Sequence, residues 1–392
     1  MLRIGLIILI GATLAVFSGI VTAGAITKSR APDVALSVWP TNGFAAESAA
    51  RNRISAAVVE NGGQFPEVIG AETVALAEKA FQSEPISPDA VAVLAMSQSG
   101  AKRHELMQKA FQLSRRRQLV TGWLIHDSGV REDIPALLGY YDNLLRTKEA
   151  SGTVVIPVMA NALSNDAFIE PFSEILRTDP PWARWFWREI VTKRVAVVNA
   201  AQVRKNLHGS GVSETVFRDQ GLLRALIRER QFAEAEKLYH LFTGGSQKPI
   251  LMNGRSFDEQ PEYPPFDWQI FSTGEYGGSI NDGQLQMSAI RNSGGQFARQ
   301  LVRLPEAQLT ITVAWTGEIP SNASLNLNLG CAELLEERPL DLRIPFSGSG
   351  IDQTISNEGT GCRYFWLQID GRANTSREGF DFQIDKVSID AP

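Results

Sequence analysis

The chain has 392 residues, of which 44% are hydrophobic and 21% are charged, so it is too long for one small domain and too apolar for a disordered chain. Lysine and arginine total 38 against 43 aspartate and glutamate residues, and the resulting net charge of -5 argues against a large basic surface for nucleic acid. Two cysteines and four histidines leave little room for a structural zinc site, which needs four clustered ligands.

The first segment is apolar enough to cross a membrane. Residues 4–26 carry no charge and are flanked by Arg3 and Lys28. As a helix this run is about 34 Å long, against about 30 Å for a bilayer core. The Ala-Gly-Ala sequence at 23–25 is typical of a signal-peptidase site, and a buried helix of a soluble protein is a further alternative. Because the run is longer than the apolar part of a cleaved signal, we predict an uncleaved, single-pass transmembrane anchor over residues 1–26.

The two cysteines bear on the compartment. Cys331 and Cys362 both lie in the C-terminal part of the chain, which is predicted below to be β-structure. A disulfide between them suits an oxidising compartment, whereas two buried free thiols are the alternative. With the anchor, this pair favours a body outside the cytoplasm.

Residues 27–48 are predicted to be a linker, and helical periodicity extends from there to residue 245. Short breaks separate the predicted helices, which are Glu72–Gln82, a segment starting at Ser87-Pro88, Lys102–Leu113, Arg116–Ile125, Ile134–Arg146, Asn165–Arg177, Trp182–Lys193, Glu214–Glu229 and Gln231–Phe242. The sequence at positions 78–82 recurs in similar form at 108–112. A period of about 30 residues is typical of stacked helical hairpins.

An aromatic cluster follows the sequence Asp179-Pro180-Pro181. Trp182, Trp185 and Phe186 share one face of a helix, while Trp187 points elsewhere. We interpret the cluster as core packing, with contact to a partner or to a membrane surface as the alternative.

Parts of this helical half resemble the tetratricopeptide repeat family. Arg230 to Tyr239 is similar to the second helix of such a repeat, and so is Asp133 to Leu145. The prolines between residues 151 and 213 depart from the family pattern. The resemblance implies a helical-repeat domain over residues 49–245 with a surface for a protein partner.

After Gly244-Gly245 the helical spacing ends and short alternating segments begin. The predicted strands are Gln284–Ala289, Phe297–Leu304, Gln308–Thr316, Ser324–Cys331, Arg363–Ile369 and Phe380–Ile389. Several antiparallel strands of this length indicate a β-sandwich or jelly roll over residues 246–392. The predicted fold class is therefore multidomain α plus β: an N-terminal transmembrane helix, a tetratricopeptide-like α-helical solenoid and a C-terminal antiparallel β-sandwich.

The C-terminal half resembles jelly-roll carbohydrate-binding modules. Gly283 to Met287, Phe297 to Pro305 and Leu309 to Trp315 look like the strand order of those modules, and Phe380 to Ile389 is similar to their last strand. Helical repeats followed by such a domain also resemble bacterial envelope proteins associated with polysaccharide production. The resemblance implies glycan binding.

Candidate glycan-binding residues follow from strand alternation. Sugar rings stack on exposed aromatic side chains, while amides and carboxylates bond their hydroxyls. Alternation places Tyr364, Trp366 and Gln368 on one face, opposite core residues, and it places Asn326 and Asn328 on one face of a neighbouring strand. These five residues form the candidate glycan face if the two strands share a sheet. The alternative is that Tyr364 and Trp366 pack beneath a loop.

The sequence offers no catalytic constellation, metal site or cofactor site. It has no Gly-x-Ser-x-Gly elbow, and its histidines lack metal-ligand spacing. Asp381 and Asp385 are kept as a minor alternative, either a glycosidase pair or a calcium site. We therefore predict a non-enzymatic envelope tether whose helical repeats bind a protein and whose sandwich binds glycan. A purely protein-binding scaffold and a glycan hydrolase or lyase are the alternatives.

Overall fold

The computed structural model describes residues 2–211, 216–244, 257–334, 341–374 and 377–390. The chain divides into two compact units. The first comprises residues 1–159 and 170–183, and the second comprises residues 160–169 and 184–392. The second unit therefore contains both helices and the β-structure, although the predicted domain boundary lies at residue 246. That boundary and the predicted start of a helix at Glu214 lie outside the described residues.

The helices occupy the N-terminal part of the chain. Within the described residues they are α1 (Leu2–Thr27), α2 (Pro32–Val38), α3 (Gly43–Glu60), α4 (Ala71–Ser83), α5 (Pro88–Met96), α6 (Gly100–Leu113), α7 (Gln118–Val130), α8 (Ile134–Thr147), α9 (Gly152–Ala162), α10 (Ile169–Leu176), α11 (Ala183–Lys193), α12 (Val197–Leu207), α13 (Val216–Arg228) and α14 (Phe232–Thr243). Two short 3-10 turns, Glu149–Ser151 and Asp166–Phe168, precede α9 and α10.

Helix α1 is the one helix in the described part of the chain that is long and apolar enough to cross a membrane. From Ile10 onward its side chains are largely exposed, and Leu14 and Phe17 are each more than 60% accessible. Near its C-terminal end Gly24 is buried, and a side chain at that position would meet the ring of Trp39 at 3.0 Å. The Asn42 amide also donates a hydrogen bond to the Gly24 carbonyl oxygen, at 3.2 Å. The last turn of α1 thus packs against the residues that follow it.

The repeat period predicted in the first unit corresponds to two helical hairpins. Helices α4 and α5 form the first hairpin, and α6 and α7 form the second, and the second pair starts about 30 residues after the first. Ala80 and its counterpart Ala110 are both fully buried, as a residue that allows close helix packing should be. The described residues establish a helical pair that occurs twice, and a tetratricopeptide solenoid stays a prediction.

The segment predicted to be a linker, residues 27–48, is largely helical. Pro32 occupies the first turn of α2, and the side chain of Asn42 caps α3 by accepting a hydrogen bond from the Ala45 N–H at 3.0 Å. The sequence did not predict these helices because the buried face of α3 consists mainly of alanines and other small residues. Small residues differ little from polar ones in hydrophobicity, so the sequence showed no amphipathic period. Helices α9 and α12 were also missed, and α9 contains Pro157.

The aromatic cluster around α11 is mostly buried. Trp182, Phe186 and Trp187 are each at most 3% exposed, so Trp187 is part of a core although the helical wheel separated it from the others. Trp185 is half-buried, and the Arg184 guanidinium lies over its ring at 4.6 Å. Core packing therefore explains three of these four rings.

The C-terminal part forms two five-stranded antiparallel sheets. The strands are β1 (Gln269–Ile270), β2 (Tyr276–Asn281), β3 (Gln284–Ala289), β4 (Gly294–Arg303), β5 (Gln308–Trp315), β6 (Ala323–Cys331), β7 (Asp341–Pro345), β8 (Gly350–Ser356), β9 (Tyr364–Ala373) and β10 (Phe380–Asp390). We call the sheet of order β1-β4-β9-β6-β7 the front sheet and the sheet of order β2-β3-β10-β5-β8 the back sheet. The six predicted strands are present, whereas β1, β2, β7 and β8 were missed.

The two sheets enclose one hydrophobic core. The cluster combines Phe297, Leu327 and Phe365 of the front sheet with Ile311 and Ile384 of the back sheet, all fully buried. From β3 to β10 the chain alternates between the sheets except at β6 and β7, which are neighbours in the front sheet, so that β3-β10-β5-β8 faces β4-β9-β6-β7. This connection pattern is that of a jelly roll, so the strand alternation read from the sequence predicted the correct sandwich.

The predicted disulfide is present between Cys331 and Cys362. Cys331 ends β6, and Cys362 lies two residues before β9, so the bond links the ends of two neighbouring strands of the front sheet. No free cysteine remains, since the chain has only these two. The bond closes a sequence separation of 31 residues.

We predict that replacing both cysteines by serine lowers the free energy of unfolding by about 2–4 kcal/mol, because the unfolded chain regains the freedom that the cross-link removed. Denaturant unfolding of the full chain in detergent, with and without reductant, measures this. Reductant should bring the native protein to the stability of the C331S/C362S variant and leave that variant unchanged. A variant as stable as the oxidised protein would contradict the prediction.

Candidate glycan-binding face

The outward face of the front sheet carries a row of polar side chains, one from each strand. The register pairs Gln269 with Arg299, Arg299 with Gln368, Gln368 with Asn328, and Asn328 with Arg343. We call these five residues the polar row. Neighbouring strands lie about 4.8 Å apart, so the row presents hydrogen-bonding groups at near-regular intervals across the sheet.

Trp366 lies beside the polar row and is half-buried. The guanidinium carbon of Arg299 lies 4.5 Å from the centre of the Trp366 ring and 5.3 Å from that of Phe271. The Nε of Arg299 also donates a hydrogen bond to the Gln269 side chain at 2.8 Å. Because these contacts hold the guanidinium in place, a sugar that reaches Trp366 also meets the N–H donors of Arg299.

A carboxylate adjoins the same row. Asp370 Oδ2 accepts a hydrogen bond from the Asn328 amide at 2.6 Å, while its Oδ1 is buried and has no hydrogen-bond partner in the described part of the chain. Burial raises the pKa of Asp370 above its ordinary value, and the Arg343 cation and the Asn328 amide offset this effect only in part. Oδ1 is thus an unpaired acceptor just beneath the polar row.

The end of the front sheet next to Trp366 is covered by α14. Tyr364 is only 3% exposed, its ring stacks on Phe232 with 5.4 Å between centroids, and its hydroxyl donates to Glu236 Oε2 at 2.7 Å. Arg303 donates to the same carboxylate oxygen at 3.1 Å. Burial and the adjacent Glu236 carboxylate raise the pKa of Tyr364 well above its usual range. Tyr364 therefore lies beneath a helix and does not contribute to the open face.

The structure brings most of the predicted residues together. Strands β6 and β9 are neighbours, as the candidate face required, and Asn328, Trp366 and Gln368 are half-buried on the outward face. Asn326 lies on that face but is only 8% exposed. Tyr364 is the predicted residue that the open face lacks.

Sequence reasoning missed Arg299, Asp370 and Gln269. Asp370 continues the alternation of Trp366 and Gln368, and extending the predicted strand by one residue beyond Ile369 would have included it. Arg299 follows a β-bulge between Gln296 and Ala298, which shifts the register of β4 against β9. Only the strand pairing shows that Arg299 stands opposite Gln368.

The back sheet carries a groove of about 1080 Å³ over its outward face. Its register rows place Ser279, Gln286 and Gln383 together, with Ser288 beside Asp381. These outward side chains are small or polar, and none is aromatic. The groove can donate and accept hydrogen bonds, and the rings that line it, Tyr276, Phe380 and Phe382, belong to the hydrophobic core or pack against it.

The minor enzymatic alternative placed Asp381 and Asp385 together. Both lie on β10, four residues apart, which is about 13 Å along a strand, whereas the two carboxylates of a glycosidase lie roughly 5–9.5 Å apart. Asp385 instead accepts hydrogen bonds from Gln284 at 2.5 Å and from Thr316 at 2.7 Å. This pair therefore does not form a glycosidase site. Within the described ranges no group of three or more histidine, cysteine, aspartate or glutamate side chains is placed to hold a metal ion.

Two solved structures are similar to the C-terminal β region. A family 61 carbohydrate-binding module in complex with β-1,4-galactotriose is 13% identical and has a TM-score of 0.25, and the match covers 37% of this chain and 100% of that one. A family 4 carbohydrate-binding module is 14% identical with a TM-score of 0.25, over 36% of this chain and 99% of that one. No protein-family model and no curated protein matches the chain.

We predict that Asp370→Asn raises the stability of the protein at pH 7. The raised pKa means that folding disfavours the ionised carboxylate, so Asp370 weakens the folded state at neutral pH, and this cost is relieved as the pH falls through the folded pKa. The asparagine keeps an oxygen for the Asn328 hydrogen bond and carries no charge.

Thermal unfolding of the full chain in detergent at pH 7 and pH 4 checks this. The unfolding temperature of the variant should exceed that of the native protein at pH 7, and this difference in unfolding temperature should become smaller toward pH 4. Asp352→Asn, at an exposed position of β8, is the matched control and should change neither value. A destabilised D370N at pH 7 would show that the carboxylate supports the fold.

Proposed function

We propose that this chain is a membrane-anchored, non-enzymatic protein that binds glycan on the outward face of its front sheet. The observation that carries the proposal is the combination of a half-buried Trp366, an immobilised Arg299 and the amides Gln368 and Asn328 on one face. An aromatic ring offers a surface for the apolar side of a sugar ring, and the amides and guanidinium hydrogen-bond its hydroxyls.

The buried Asp370 oxygen supports the same proposal. A carboxylate oxygen without a hydrogen bond is unfavourable in a folded protein, and this one lies beside the two amides of the face.

We further propose that the body lies in the periplasm and that α1 holds it at the inner membrane as an uncleaved anchor. The disulfide suits an oxidising compartment. The docking of Gly24 against Trp39 and Asn42 makes the end of α1 a part of the first unit, which cleavage after Ala25 would remove. Binding of a protein partner by the helical repeats stays a prediction, as does the link to polysaccharide production.

Glycan binding should depend on Trp366. We expect Trp366→Ala to weaken binding about tenfold or more, equivalent to about 1.4 kcal/mol, because the sugar loses its stacking surface. The measurement is affinity electrophoresis of the full chain in detergent through gels that contain bacterial or plant polysaccharides.

Trp185→Ala is the matched control, since Trp185 is also half-buried with an arginine over its ring but lies on α11. Retention that survives W366A but not W185A would move the binding site away from the front sheet. A chain that no polysaccharide retards would favour a protein-binding scaffold.

The anchor is tested by the mass of the protein recovered from membranes. We expect α1 to be retained and the protein to resist extraction by alkaline carbonate. A mature chain that begins at Ile26 and stays soluble would identify residues 1–25 as a cleaved signal.

A further inference from the structure

Arg299 is a half-buried cation whose contacts are all with uncharged groups. They are the Gln269 side chain at 2.8 Å and the rings of Trp366 and Phe271. No carboxylate within the described ranges forms an ion pair with it. Charged groups removed from water are normally paired, because desolvation is otherwise costly.

Two other arginines that are buried or half-buried do have carboxylate partners. Arg204 makes a bidentate ion pair with Asp219 at 2.8 and 2.9 Å, and Arg303 pairs with Glu236 at 3.1 Å. Arg299 differs from both in having no carboxylate partner within the described ranges, and it lies in the candidate glycan-binding face.

The positive charge of a second arginine, Arg228, also acts on Arg299. Arg228, in the last turn of α13, is exposed and forms no ion pair in the part of the chain that the structure describes. Burial lowers the pKa of Arg299, and the positive charge of Arg228 lowers it further. The two guanidinium groups, neither of which has a carboxylate partner in the described part of the chain, thus repel one another, and a bound anion would offset this repulsion.

We propose that the glycan bound by this face is acidic and that a uronic acid carboxylate pairs with Arg299. The inference rests on the proposed glycan-binding function and adds the chemical class of the sugar. A planar guanidinium can bond both oxygens of a carboxylate. The carboxylated sugar would then lie against Trp366, while its neighbours along the polar row meet Gln368 and Asn328.

The test compares polysaccharides that differ only in charge. Polygalacturonate, alginate and hyaluronate are each titrated into the full chain in detergent, beside the same polymer with its carboxyl groups methyl-esterified. We expect at least one acidic polymer to bind, and esterification to weaken its binding at least tenfold. Raising the salt concentration should weaken the acidic form much more than the ester.

Variants separate this inference from the function on which it rests. Arg299→Gln should remove the difference in affinity between the acidic polymer and its ester, while Arg299→Lys should retain part of that difference. Arg184→Gln, at the arginine over Trp185, is the matched control and should have no effect. Equal binding of the acidic and esterified forms would overturn the acidic class but leave glycan binding intact. Binding of neither form would overturn both, and an R299Q loss that is equal for both forms would assign Arg299 a purely structural role.

Discussion

The arrangement of the candidate site depends on how one buried carboxylate is satisfied. Glu236 of α14 is 6% exposed, and burial of its charge is unfavourable unless it is paired. The Tyr364 hydroxyl, 2.7 Å away, and Arg303, 3.1 Å away, provide the partners, and both belong to the front sheet. Nε2 of His240 lies 4.0 Å from the other carboxylate oxygen. Helix α14 is therefore held over one end of the front sheet by specific polar contacts as well as by apolar packing.

This contact gives two aromatic residues of one strand face different roles. Tyr364 and Trp366 are about 7 Å apart along β9, yet the first is beneath α14 and the second is half-buried at the edge of the open face. The open face begins where the helix ends, and the polar row crosses the sheet from there. Arg299 is part of this row. The Trp366 and Phe271 rings and the Gln269 side chain hold its guanidinium without neutralising the charge. Within the described residues, Asp370 Oδ1 then has no hydrogen-bond donor, and Arg299 has no carboxylate partner.

The sequence could predict those features that depend on local pattern. Strand alternation identified Trp366, Gln368 and Asn328, and the count of two cysteines in strand-like sequence identified the disulfide. Features set by distant contacts could not be read in this way. The burial of Tyr364 depends on Glu236, 128 residues away, and the place of Arg299 depends on a bulge in β4. Helix α3 escaped notice for a third reason, because its alanine-rich buried face has little hydrophobic contrast.

The most direct test of the binding face is a crystal structure of the full chain with an oligosaccharide from a polysaccharide that it retains. We expect a sugar ring against Trp366, with its hydroxyls within hydrogen-bond distance of Gln368, Asn328 or Asp370. An oligosaccharide bound in the groove of the back sheet, against Gln286 and Gln383, with the front sheet unoccupied, would contradict the assignment of the site.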